Sequence, residues 1–266
     1  MKLLGVISAA MLMAMPSSRV SAAATCESLS SLSLPETTFT MAQTVAPGAF
    51  ALPQDFVGAK TCWFQPCPSP NGTGELFKSL PTFCRVAATL KPTGDSEIKI
   101  EIWMPASGWN GKFIAVGNGL SAGTIAYTAM SVPLARGYAV ASANTGHDAT
   151  ASDISFALGH PEKLIDFGYR AVHEMTVKAK AIVAAYYAKP PTLSYWNGCS
   201  TGGRQALMEA QRFPADFNGL IAEQADLPIA CLFVSELLCT VLLEQMSDHI
   251  DVSRRAVTHQ TRRPAL

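Results

Sequence analysis

The chain has 266 residues, of which 15% are charged, and its 20 basic and 20 acidic side chains cancel. That length accommodates one or two domains with a substantial buried core, and the lack of a basic stripe argues against nucleic acid as a partner. At the amino terminus, Lys2, the apolar run Leu3–Met15 and the small residues Ser21-Ala22-Ala23-Ala24 have the build of a secretory signal peptide, residues 1–24, cleaved near Ala24. The apolar run is shorter than the roughly 20 residues that span a bilayer, so a secreted, extracellular protein with no membrane partner is expected. Export places the seven cysteines in an oxidising compartment, where disulfides are favoured over metal clusters; an odd count leaves one over. Cys62 and Cys67 lack a nearby histidine and are too loosely spaced for a zinc site, and no metal is expected. Asn71-Gly72-Thr73 is a glycosylation sequon in a Pro/Gly/Ser-rich stretch suited to an exposed loop.

Residues 25–90 are rich in Ser, Thr and Pro, hold four cysteines and show no sustained periodicity. They read as an irregular, disulfide-stapled segment wrapping the domain that follows. From Ile98 to Met104, apolar and polar residues alternate, which predicts a half-buried strand. Gly108-Trp109-Asn110-Gly111 turns the chain, and Phe113–Val116 is a short buried strand ending at Gly117-Asn118-Gly119. A helix is predicted around 124–135, then a strand over Tyr138–Ser142. Between Asp166 and Ala188, the residues Val172, Met175, Ala179, Ile182 and Tyr186 recur at helical spacing and mark one face of an amphipathic helix. Pro190-Pro191 stops it, and the β-like run Leu193–Trp196 leads into Gly198-Cys199-Ser200-Thr201-Gly202. Beyond it, Ala206, Leu207, Ala210 and Phe213 mark another helix, ending at Pro214. Strands alternating with helices predict an α/β fold with a mostly parallel sheet.

The five residues 198–202 fit the G-x-S-x-G pattern, in which a serine sits on a sharp strand-to-helix turn with its hydroxyl exposed. Spacing alone is weak; the strand before and the helix after supply the context the motif requires, and Ser200 is the candidate nucleophile. A serine needs a base to take its proton, and the oxyanion formed on attack needs preorganised N–H donors. Thr201, at a helix start, offers one. Gly117, Asn118 and Gly119 follow an early strand, where α/β-hydrolases supply the second.

The segments GWNGKFIAVGNG (108–119), NTGH (144–147), PEKLIDFGYRAVHEMTVKAK (161–180) and YWNGCSTGGRQALMEAQRFPADFNGLIA (195–222) resemble the tannase and feruloyl esterase family. The likeness runs from about Cys26 to Ala222. It implies a secreted α/β-hydrolase that splits small aromatic esters, of gallic or ferulic acid, through an acyl-enzyme on Ser200. It also implies that Cys199 is one half of a disulfide to a cysteine directly after the catalytic histidine, and that a calcium-binding lid is inserted after the nucleophile. The triad acid and histidine should follow Ser200 in the chain. The later histidines, His249 and His259, are not followed by cysteine, and from Glu223 onward the resemblance stops. The expectation is therefore a partial α/β-hydrolase domain over 91–222, truncated after the nucleophile helix, and a tail over 223–266 unlike the family. The lid and its calcium site are expected to be missing and no cofactor is expected; the alternative is an inactive product lacking the triad Asp and His. His147 reads as a local hydrogen-bonding residue, and His173 beside Glu174 as one that packs or caps. Asp248-His249 is a poor acid–base pair because adjacent residues point apart. The run Leu227–Leu243, with Pro228 and Glu236, reads as an apolar tail rather than a membrane helix.

Overall fold

Residue Ile98 begins the strand that organises the molecule. In the computed structural model, which describes residues 23–53, 75–121, 123–149 and 153–223, it belongs to a seven-stranded sheet. The strands are β1 (Thr37–Val45), β2 (Phe83–Leu90), β3 (Ile98–Pro105), β4 (Lys112–Val116), β5 (Ala139–Ala143), β6 (Leu193–Cys199) and β7 (Gly219–Glu223). Their spatial order is β1-β2-β3-β5-β4-β6-β7. β1, β2, β3 and β5 pair antiparallel in succession, whereas β5, β4, β6 and β7 pair parallel. Only β1 and β3 therefore run against the others, and the sheet is the mixed, mostly parallel one expected.

Successive residues of β3 point to opposite faces, and both faces are covered. Ile98, Ile100, Ile102 and Met104 join one core, packed with Val172, Met175, Ala179 and Ile182 of α3 (Ala171–Tyr187). Trp103 joins the other, with Phe83, Val140 and Phe50, beneath Met130 and Leu134 of α1 (Tyr127–Ala135). Glu101, polar by sequence, is buried on that second face. Its carboxylate accepts from Arg85 Nε at 2.9 Å, Trp103 Nε1 at 3.0 Å and the Tyr127 hydroxyl at 2.7 Å, so a buried charge is paired and fully hydrogen-bonded, as burial demands.

The sheet starts earlier than the sequence suggests. β1 and β2 both lie in the stretch read as irregular. β2 is buried almost throughout, so it shows no alternation to detect, and a bulge between Phe39 and Met41 breaks the period of β1. A disulfide joins Cys26 to Cys84 across 58 residues. It pins the 3₁₀ turn Glu27–Ser31 to the start of β2, next to the edge strand β1. Replacing both cysteines by Ala is expected to lower the unfolding free energy by about 2–5 kcal/mol, read from urea denaturation monitored by circular dichroism.

The long helix also differs from expectation at its start. α2 (Pro161–Ile165) runs through a π-helical turn, Asp166–Arg170, into α3, which ends at Tyr187 with Ala188 in the left-handed region at φ 54°. After β6 comes α4 (Thr201–Arg212), and residues 213–218 separate it from β7. Among the described residues, no helix is long and apolar enough to cross a membrane. The body of the predicted signal peptide, the Cys62 and Cys67 pair, the Asn71 sequon, the run Leu227–Leu243, and the residues Asp248, His249 and His259 lie outside the described residues.

Candidate active site

Strand β6 is parallel to both neighbours, and its carboxyl end delivers Ser200 to the edge of the sheet. There the backbone reverses into α4 with Ser200 as the N-cap at φ 58°, ψ −119°. A non-glycine residue held in such a sparsely populated region costs on the order of 1–3 kcal/mol and persists only where its surroundings fix it. Both backbone groups of Ser200 are fixed. Its N–H donates to Glu223 O of β7 at 3.0 Å, and its carbonyl accepts the Arg204 N–H at 3.0 Å. The glycines of the motif make this reversal sterically possible. A Cβ on Gly198 would lie 2.4 Å from the carbonyl carbon and oxygen of Gly202, and one on Gly117 would lie 2.6 Å from Gly202 Cα.

The loop after β4 packs against the first turn of α4. Thr201 Oγ1 donates to Leu120 O at 2.8 Å, and Trp196 Nε1 donates to Gly202 O at 2.9 Å. The predicted loop donors separate into two kinds. Gly117 N–H donates to Asn197 O at 3.0 Å and Asn118 N–H donates to Gln205 Oε1 at 3.2 Å. These two amides hold the scaffold of the loop that is the candidate source of the second oxyanion donor. Among the described residues, no hydrogen bond engages the N–H of Gly119 or of Thr201. Asn118 also anchors the loop through its side chain, donating to Thr124 O at 2.6 Å and Ala143 O at 2.9 Å. Gln205 was not singled out by sequence; it lies 87 positions from Asn118, and no local pattern links the two.

Cys199, beside Ser200, is exposed. Partial burial of its thiol, then the Glu223 carboxylate, raise its pKa. His147 is buried, its Nε2–H donates to Ser121 O at 2.7 Å, and its ring stacks on Phe156 with centroids 3.6 Å apart. Burial lowers its pKa, so it stays neutral and buttresses the turn before α1, the local hydrogen-bonding role expected of it. His173 packs on Phe213 and bonds Asp216. Among the described residues, no imidazole or carboxylate hydrogen-bonds the Ser200 hydroxyl.

Comparison with known proteins agrees with this geometry. A family model described as tannase and feruloyl esterase matches residues 84–250. The match continues past Glu223, into the stretch whose sequence we read as unlike the family. A Xanthomonas campestris protein described as an uncharacterized esterase is 43% identical over 203 residues, 76% of this chain and 32% of its own length. A probable feruloyl esterase B-2 of Aspergillus terreus is 37% identical over 155 residues, 58% of this chain and 29% of that protein. The chain spans about a third of the length of these curated relatives. Among solved structures, feruloyl esterase B of Aspergillus oryzae superposes with a TM-score of 0.62 at 29% identity, covering 74% of this chain and 36% of that one.

Proposed function

Because this chain belongs to the tannase and feruloyl esterase family, we propose that it is a secreted hydrolase of carboxylic esters of aromatic acids, of the feruloyl or galloyl type. The observation that carries the serine mechanism is the backbone of Ser200, a non-glycine residue at φ 58°, ψ −119° at the junction of β6 and α4. Such a turn lifts the side chain off the sheet edge, where an ester can reach it. Ser200 Oγ attacks the ester carbonyl carbon and its proton passes to a general base. The carbonyl oxygen takes the negative charge facing the Thr201 and Gly119 N–H groups. Collapse of the tetrahedral intermediate expels the alcohol, which takes the proton, and water then hydrolyses the acyl-serine. In α/β-hydrolases the base is a histidine that follows the nucleophile, oriented by an acid, and the family resemblance pairs Cys199 with a cysteine next to that histidine.

The Cys26–Cys84 disulfide supports secretion, and the partner is a small aromatic ester. A second reading is a family member that does not catalyse; among the described residues, which end at 223, no base hydrogen-bonds the Ser200 hydroxyl. Incubation with a fluorophosphonate probe separates the two readings. Stoichiometric labelling of Ser200, with release of ferulate from methyl ferulate, is the expected result; an unlabelled Ser200 in a folded protein defeats the hydrolase reading.

A further inference from the structure

We propose that His173, Glu209 and Asp216 form a binding site for a divalent transition-metal ion of the zinc type, clamping the end of α4 to the start of α3. His173 lies in the first turn of α3, Glu209 in the last turn of α4, and Asp216 in the connection to β7. One ligand atom from each lies within 4.8 Å of the other two. Glu209 is nine positions along α4 from Ser200, about 14 Å at the helical rise, so this site is separate from the nucleophile.

Glu209 carries the argument. It is 1% exposed, and among the described residues no donor reaches either carboxylate oxygen; Asp216 can bond it only when a proton lies between the two carboxylates. A buried carboxylate without partners is costly and calls for a proton or a cation. Without a metal, it takes the proton: burial first, and then the Asp216 carboxylate, push its pKa up to about 9. Lys180 is a cation at the cluster, but it acts on Glu209 through space and makes no hydrogen bond to its carboxylate. Its ammonium donates to the Asp216 main-chain carbonyl and lies over the Phe217 ring at 5.5 Å, and burial lowers its pKa.

The other two residues are presented as ligands are. The His173 ring is held flat against Phe213, centroids 3.7 Å apart and 11° between planes, with Nδ1 2.7 Å from Asp216 Oδ2. The side chains of His173 and Asp216 are 27% and 14% exposed, which gives an ion a path from solvent. One imidazole nitrogen and two carboxylate oxygens, with a fourth position left to water, suit zinc and its first-row neighbours better than calcium, which takes six to eight oxygens. Ligand bonds of about 2.0–2.2 Å require the three side chains to close in from their present spacing. The proton of Glu209 leaves to solvent as its oxygen takes the metal.

Thermal melts of the whole chain test this, in EDTA and in zinc chloride at about 100 µM. A zinc-dependent rise in Tm of about 4 °C or more is expected for the unmodified protein, and loss of that rise in both Glu209→Gln and His173→Ala. Glu209→Gln keeps the volume of the side chain and removes its charge, while His173→Ala changes a half-exposed position. If one variant fails to fold, the other decides. Zinc affinity by calorimetry should fall at least about tenfold in each variant. No shift in the unmodified protein, or a shift that survives either substitution, overturns the site and leaves Glu209 as a protonated core carboxyl beside Asp216.

Discussion

Ser200→Ala is expected to hydrolyse methyl ferulate about four to six orders of magnitude more slowly than the unmodified enzyme, with its melting temperature nearly unchanged. The two effects separate because they come from different atoms. Alanine keeps the Cβ that already sits at φ 58°, and it keeps the backbone bonds to Glu223 and Arg204, so the turn is no more strained than before. Only Oγ is lost, and no other side chain is placed by β6 and α4 to form the acyl-enzyme. Triad members act as a unit, and what survives removal of one is the contribution of binding and the oxyanion donors. Retention of more than about a hundredth of the activity would assign the nucleophile elsewhere.

Gly198→Ala is expected to do comparable damage by the opposite route, through the fold. Its new methyl group would lie 2.4 Å from the carbonyl carbon and oxygen of Gly202. Those are backbone atoms in the first turn of α4, and Gly202 is itself packed against Gly117 and Asn118, so relief requires α4 to move as a whole. Overpacking of this kind costs about 3 kcal/mol or more, and the movement carries Ser200 away from the Gly119 and Thr201 amides. Urea denaturation should show the loss of stability, and ester hydrolysis should fall with it. Gly94→Ala, where no atom lies within 4 Å of the added carbon, is the control and should stay within about 0.5 kcal/mol. Equal stability for the two variants would mean that the elbow is looser than its contacts indicate.

The unit β6–Ser200–α4 was legible in the sequence because three local signals coincide there: an apolar run, a glycine-flanked serine and a helix that follows at once. β3, β4 and β5 were legible for similar reasons. β2 was not, since Phe83 to Leu90 is buried on both faces and its Arg85 reads as a surface residue until Glu101 and Tyr127 are seen around it. The inner face of α4 was misread in kind. Ala206, Leu207, Ala210 and Phe213 marked the helix, yet Ala210 is exposed and Leu207 half-buried, while Arg204, Gln205 and Glu209 are buried. Hydrophobic periodicity cannot find a face whose burial is sustained by polar contacts to residues distant in sequence. The loop Gly117–Gly119 follows β4 as read, but which of its amides remain available depends on Gln205 and Asn197, and spacing holds no record of that.

The π-helical turn at Asp166–Arg170 bears on how far the serine motif could be transplanted. The guanidinium of Arg204 is fully buried and donates to Gly168 O at 2.8 Å and Phe167 O at 3.0 Å, carbonyls within that turn, and burial lowers its pKa to about 10. Two divergent donors on one rigid plane reach both carbonyls, a geometry that the single ammonium of lysine does not provide. Arg204, four positions after Ser200, is thus a strut whose far end rests on an irregularity in another helix. The seven residues from Gly198 to Arg204 are not a portable cassette: grafted onto a sheet whose neighbouring helix lacks the extra residue of a π turn, the same letters would carry a buried cation with nothing to receive it.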